Sequence, residues 1–422
     1  MNDILVIVTY KVEAMKEAMK VSDVSVLPLA EQRPSLQELV KRAEALQPLL
    51  RKNAAESERN RRAAEENIQA MRDAGLFRLM VPKRFGGHEG TLRSHLEVSA
   101  ALAEGCGGTA WVAALTNVCA WFTSLFSERA QNEVFGANPD ARVSGVFNAS
   151  PNTRRVEGGL IVSGKWYFSS GSLHADWAAV GAEERDANGA LVAQYLALIP
   201  REQFCIEDTW FTTGMRASGS NCIVAEEVFV PDHRLLNMGA AIEGDYPTEF
   251  KDEASYRPLF VPFAALILNG PQLGLGRAAL KYVIDNAPRR AIAYTSFEKQ
   301  TDSVLFQAQV AEAALKIDSA ELRAFRAVDE IDAAAREGRK LDATTRARIR
   351  ADVGLVNSHI TDAINILLTA HGAGSFAESS PMQRWWRDSN TAARHAVALP
   401  SIGLELYGKA LLGLENTVTP LI

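Results

Sequence analysis

Histidine and cysteine are the side chains best suited to hold a metal or to act as nucleophile and base, and this 422-residue sequence has seven of the first and four of the second. Neither set has the spacing for it. His88, His95, His174, His233, His359, His371 and His395 include no H-E-x-x-H and no i, i+4 pair, and Cys106, Cys119, Cys205 and Cys222 include no C-x-x-C. No metal site is expected. The absence of G-x-S-x-G and of a glycine-rich loop ending in Gly-Lys-Ser/Thr removes the usual starting points for serine hydrolysis and P-loop phosphoryl transfer. Gly274-Leu-Gly276-Arg-Ala-Ala279 fits the relaxed dinucleotide pattern G-x-G-x-x-A, but it lies inside a helical pattern with no strand before it. We read it as small residues that let helices approach; electrons for any redox chemistry then arrive from elsewhere. Trp166-Tyr-Phe168-Ser169-Ser170-Gly171 follows the turn Ser163-Gly164. It reads either as an aromatic strand ending in a polar loop or as a strand end whose hydroxyls and N–H groups face a planar cofactor. Local pattern does not separate the two, and His395 taken alone reads more readily as a core or helix-face residue than as a functional one.

Three blocks must position these residues. Ser35-Leu-Gln-Glu38 is a capping-box pattern, followed at helical spacing by Leu39, Ala43, Leu46 and Leu50. The organised chain therefore starts near residue 35, and 1–34 is an N-terminal extension. Further helices carry Ile68 and Met71, run from about Thr91 to Ala103, and run from Ala110 to Phe126 behind a Thr109 cap. The last of these is apolar on nearly every face, which places it in the interior. From about 140 the pattern becomes short alternating runs, with a hairpin at Val156-Glu-Gly158-Gly159, a type I′ turn at Asn188-Gly189 and a last strand at Val228-Phe-Val230. The expected boundaries are a helical domain over 35–139, a β domain over 140–238 and a four-helix bundle over 255–422.

Composition bounds the partners. Hydrophobic residues make up 47% and charged residues 23%, and Lys+Arg 45 against Asp+Glu 51 leaves a net charge of −6. No global positive field is available to hold nucleic acid or an anionic membrane. No apolar run is long enough for a transmembrane helix, and the N-terminus has an acid where a signal peptide needs bases. A cytoplasmic location with free thiols is the expectation.

Taken in order, the motifs Gly75-Leu-Phe with Pro82 and Gly86-Gly87, Gly108-Thr-Ala-Trp111, Val156-Glu-Gly-Gly159, Phe168-Ser-Ser-Gly171 with His174-Ala175, Ala217-Ser-Gly-Ser220, Val228-Phe-Val-Pro231, Tyr256-Arg-Pro258 and Gln383-Arg-Trp-Trp-Arg-Asp388 are similar to the acyl-CoA dehydrogenase fold. They more closely resemble its flavin-dependent monooxygenase branch, the oxygenase components of two-component aromatic hydroxylases such as p-hydroxyphenylacetate hydroxylase. The resemblance covers about 35–420. It implies a mainly α chain with a central β-barrel-like domain between a helical domain and a four-helix bundle. It also implies a homotetramer that shares flavin contacts between subunits. Dehydrogenases of this fold place a glutamate shortly after the Arg-Asp pair; here Arg387-Asp388 is followed by Thr391-Ala-Ala-Arg394-His395, which matches the monooxygenases.

The implied chemistry uses reduced FMN or FAD from a separate NAD(P)H:flavin reductase. O2 as co-substrate forms a C4a-hydroperoxide, and one oxygen atom passes to an aromatic or heteroaromatic ring. Carried over by position, His395 and Ser170 are catalytic, and Trp111, Ser144, Ser169, Ser170, Arg257 and Arg290 touch the flavin. Either arginine would serve equally as a surface ion-pair partner. Cys119, Trp121, Gly145 and His395 line the substrate. Cys119 and Gly145 stand where the hydroxyphenylacetate enzymes carry a histidine and a serine, so the pocket is less polar and an indole suits it as well as a phenol. An acyl-CoA dehydrogenase with a relocated base and a non-catalytic binding module are the rival readings.

Overall fold

The computed structural model describes residues 34–422, and all but the last position of the proposed N-terminal extension lies outside the described residues. Leu36–Ile422 forms one compact unit. Its first helix, α1 (Leu36–Arg59), buries Leu39, Ala43 and Leu50, the stripe read from the spacing. It is followed by α2 (Glu65–Asp73) and α3 (Leu92–Ala103), whose Thr91 cap accepts the Ser94 N–H at 3.3 Å. Next come α4 (Gly107–Ser124) and α5 (Glu128–Phe135). Almost every residue of α4 is buried, as its all-round apolarity requires. It starts earlier than expected: Cys106 holds the N-cap position and Thr109 lies inside the helix. The reason is the pair Gly107-Gly108. A Cβ on Gly108 would sit 2.8 Å from that of Ala217, and one on Gly107 would sit 2.8 Å from Leu275 Cδ2. Only glycine lets the first turn of α4 touch both the β domain and the bundle.

Eight strands form two four-stranded sheets, ordered β1-β4-β5-β8 and β2-β3-β7-β6. The ranges are β1 Val143–Ser150, β2 Thr153–Val156, β3 Gly159–Ser169, β4 Trp177–Arg185, β5 Leu191–Pro200, β6 Cys205–Glu207, β7 Asn221–Pro231 and β8 Leu235–Asn237. The sheets enclose a core that includes Leu160, Val162, Trp166, Val180, Ile199 and Ile223, and the Trp166 indole N–H donates across it to the Gly181 carbonyl at 2.9 Å. They remain two open sheets, and no closed barrel forms. Val156 pairs Gly159 as the hairpin predicts. The turn at Asn188-Gly189 is longer than type I′, because the Asp186 carboxylate accepts the Asn188 and Ala190 N–H groups and widens the loop. β8 follows the strand expected to be last.

The remainder is helical: α6 Met238–Ile242, α7 Phe260–Leu266, α8 Asn269–Asn286, α9 Val304–Glu337, α10 Ala343–His371, α11 Pro381–Ala392 and α12 Pro400–Leu411. Gly338 in the left-handed region ends α9, and the Asp342 carboxylate caps α10 at Thr345 N. Gly274 and Gly276 lie within α8. A Cβ on Gly274 would fall 2.1 Å from the Ala100 carbonyl oxygen of α3, and one on Gly276 would fall 2.9 Å from Ile360 Cδ1. The G-x-G-x-x-A run is thus a helix-packing surface. Among the described residues, no helix is long and apolar enough to cross a membrane, and no group of His, Cys, Asp and Glu could hold a metal.

Candidate active site

An irregularity at the end of β3 builds one wall of the site. The register with β7 shifts between Trp166 and Ser169, and Phe168 adopts φ 67°, a conformation costly for an L residue and typical of functional sites. The bulge breaks the in-out alternation of the strand. Phe168 swings out to 73% exposure. Ser169 turns inward, fully buried, with its hydroxyl donating to the Trp166 carbonyl at 2.9 Å. Ser170 is delivered to α4, where Trp111 Nε1 donates to its Oγ at 3.1 Å. Ser170 Oγ lies 2.8 Å from Ser220 Oγ, and Ser220 Oγ lies 2.7 Å from Ser218 Oγ. The Ser144 hydroxyl of β1 donates to the Ser170 carbonyl at 2.9 Å. These bonds tie the end of β3 to α4, β1 and the Arg216–Ser218 turn.

His395 follows α11 and brings the bundle to this wall, its ring centre 6.1 Å from that of Trp111. His395 is an exposed residue overall. Protein packed near the ring nonetheless desolvates it, and this, with a smaller push from the Arg350 charge, lowers its pKa to about 4. His395 is therefore neutral at pH 7. The backbone N–H of Val397 donates to its Nδ1 at 3.3 Å, so the single ring proton belongs on Nε2. The side chain thus carries a donor close to Trp111.

The other expected residues divide. Cys119 and Gly145 come together: a Cβ on Gly145 would lie 2.7 Å from Cys119 Sγ. Burial pushes the Cys119 thiol up to about 12, so it stays protonated. Trp121 is packed into the core. Its ring stacks on Phe263 at 3.8 Å, its N–H donates to the Ser255 carbonyl at 2.9 Å, and it is 2% exposed. The apolar face toward β1 is made by Phe122 and Phe147 instead, 5.1 Å apart. Ser169 spends its hydroxyl inside its own strand and offers no side-chain contact to a flavin. The Arg257 guanidinium donates to the Lys251 and Asp252 carbonyls and clasps its own loop, which leaves it poorly placed as a phosphate ligand.

Arg290 lies apart from the Trp111–Ser170–His395 group, at the far end of α8. There Arg290 Nε, His371 Nε2 and Gln300 Oε1 are buried without partners. They adjoin a recess of about 340 Å³ whose lining includes Gly372, Ala373, Phe376 and Trp386. Buried polar atoms left unpaired are costly. The Arg290 Nε–H, a donor beside two ring or amide atoms able to bond hydroxyls, fits the phosphate and hydroxyls of a flavin side chain, and the buried Trp111 and serine wall fits the edge of its ring.

Sequence reasoning missed four contributors. Ser218 and Ser220 lie in the quoted Ala217-Ser-Gly-Ser220 motif, which was the available signal. Asp388, wholly buried, accepts the Met215 N–H at 2.6 Å, and desolvation raises its pKa to about 6. Arg350 is masked in the sequence by its basic neighbours Arg346 and Arg348.

A helical domain, a two-sheet β domain and a bundle that carries a neutral histidine define an acyl-CoA dehydrogenase-type flavoprotein without the usual carboxylate base. Comparison with known proteins agrees. The family models for the acyl-CoA dehydrogenase N-terminal and C-terminal domains match residues 34–136 and 266–400. The chain is 32% identical over 381 residues to the flavin-dependent monooxygenase oxygenase subunit HsaA of Rhodococcus jostii, covering 90% of this chain and 100% of that protein. It is 30% identical to the oxygenase component of the FADH2-dependent resorcinol hydroxylase of a Rhizobium species, covering 93% and 98%. Among solved structures it resembles XiaF from Streptomyces in complex with FADH2 and glycerol, with a TM-score of 0.87 and 38% identity over 91% of this chain and 97% of that one. The chain belongs to the flavin-dependent monooxygenase branch of the acyl-CoA dehydrogenase family.

Proposed function

We propose that this protein is the oxygenase component of a two-component system. It takes reduced FMN or FAD from a separate NAD(P)H:flavin reductase and inserts one oxygen atom of O2 into an aromatic or heteroaromatic ring of phenol or indole type. The reduced flavin supplies two electrons and activates O2, so that one oxygen atom enters the substrate and the other leaves as water. The observation that carries this reading is the state of His395. A dehydrogenase needs a free basic atom to remove a substrate proton, whereas His395 has its lone-pair nitrogen occupied by Val397 N–H and is left with a donor at Nε2. A fixed neutral donor suits an oxygen atom that gains charge as its bond breaks.

The remaining residues orient and shield. Ser170, held by Trp111 and Ser220, positions the flavin edge. Phe122 and Phe147 keep water from the reacting atoms. A homotetramer in which a second copy completes each flavin site belongs to this reading. The test is hydroxylation by purified protein given chemically reduced flavin and O2 across a panel of phenols and indoles. Oxygenated product supports the reading. Protein that purifies with oxidised FAD and bleaches on adding acyl-CoA would instead be the dehydrogenase.

A further inference from the structure

We propose that Arg350 is the anion-binding residue of the substrate recess, so that the aromatic substrate carries an acidic oxygen which the guanidinium holds beside His395. This rests on the aromatic monooxygenase reading and narrows its substrate class. Arg350 lies on α10, 6% exposed, and its Nε and Nη1 are buried with no hydrogen-bond partner. Its basic neighbours on the same helix have ion-pair partners: Arg348 pairs with Glu330 and Asp352, and Arg346 reaches Glu243 through Nη1. Among the described residues no carboxylate lies within ion-pair range of Arg350. A buried guanidinium with unpaired N–H groups is among the costlier arrangements in a protein interior, and it is sustained where an anion arrives to complete it.

Its place in the fold points to the same recess. The turn of α10 that carries Arg350 packs against the start of α12, where a Cβ on Gly403 would lie 2.7 Å from the Arg350 carbonyl oxygen and one on Gly354 would lie 2.6 Å from Pro400 Cα. The segment between α11 and Pro400 is the one that bears His395; α10 packs against Ala396–Ala398 directly after it, and the Arg350 charge acts on the imidazole. Two donor-bearing groups would then serve the site: His395 through Nε2–H, and the Arg350 guanidinium, whose Nε–H and Nη1–H have no partner. The two positions expected to surround a phenol, Cys119 and Gly145, supply a protonated thiol and no side chain. A donor-rich recess with one uncompensated positive charge is complementary to an oxyanion, which a guanidinium binds in a planar fork.

The test measures binding of matched acids and amides by calorimetry on the full-length protein with reduced FMN under anaerobic conditions. The pairs are indole-3-acetate with indole-3-acetamide and 4-hydroxyphenylacetate with its amide. We expect at least one acid to bind about tenfold or more tighter than its amide. Arg350→Met should bring that ratio to near one by weakening the acid, and Arg350→Lys should retain part of it. An acid-to-amide ratio near one in the unmodified protein, or a ratio that survives Arg350→Met, overturns the proposal. So does a change of oligomeric state on Arg350→Met in sedimentation, because the guanidinium would then be pairing between copies. The unmodified protein and the lysine variant decide the matter if the methionine variant does not fold. No oxygen is present, so a preserved acid preference with failed hydroxylation would refute the monooxygenase reading alone.

Discussion

Substituting Gly145 with alanine tests the seam between α4 and β1. The added Cβ would lie 2.7 Å from Cys119 Sγ and 3.5 Å from the Ala179 carbonyl oxygen, whereas carbon in ordinary contact stands about 3.5–4.0 Å away. An overlap of roughly 1 Å must be relieved. Cys119 is 1% exposed and lies in the core, so its sulfur cannot simply rotate away, and displacing β1 would disturb its pairing with β4 from Gly145↔Ala179 onward. Overpacking of this kind costs about 1–3 kcal/mol. Cys119→Ala alone leaves a sulfur-sized void and costs about 1 kcal/mol or more. In the double variant the new methyl occupies the space that the sulfur leaves, so its destabilisation should fall below the sum of the singles by about 1–3 kcal/mol. Urea unfolding of the four proteins, read by tryptophan fluorescence, gives the coupling. Additivity within about 0.5 kcal/mol would mean the two residues do not touch, and the description of this wall would be wrong.

Other outcomes follow from the same geometry. Because the His395 pKa is lowered to about 4, the imidazole stays neutral as pH falls through 6.5. The yield of hydroxylated product per reduced flavin should show no inflection near 6.5, and an inflection there would contradict the assigned state. Ser170→Ala strands the Trp111 indole N–H, which should cost about 1–2 kcal/mol in unfolding free energy and weaken reduced-flavin binding by titration; unchanged values for both would remove Ser170 from the site. Asp388 has its pKa raised to about 6, so the folded state holds the proton more tightly than the unfolded one. Its contribution to stability is present below the ordinary value of 3.8 and is lost as pH climbs to about 6. Asp388→Asn should remove that slope, gaining on the order of 2–3 kcal/mol relative to the original protein between pH 4 and 7; parallel stability curves for the two would refute it.

The order of helices, sheets and helices was legible because burial leaves a periodicity, as in the stripe of α1 and the apolar faces of α4. The ordered motifs pointed to the family. What was hidden is non-local. Nothing near Ser169 announces that a bulge turns its hydroxyl inward while Ser170 goes outward, since both occupy the same polar strand end. Trp111 and Trp121 read alike in one apolar helix, and only the rings of Phe263 and Tyr246, supplied from distant chain, hold Trp121 in the core. Arg350 looked like its neighbours because pairing depends on which acids the fold brings near.

Transfer of one oxygen atom from O2 to an aromatic ring is the reaction assigned to this chain. Chemically reduced flavin, protein and a phenol or indole substrate, mixed with ¹⁸O-labelled O2 in a single turnover, test it by mass spectrometry of the product. The account predicts hydroxylated product carrying one ¹⁸O atom, with the yield falling and hydrogen peroxide rising in His395→Ala. Product whose new oxygen comes from water, or peroxide alone with every substrate tried, would contradict it.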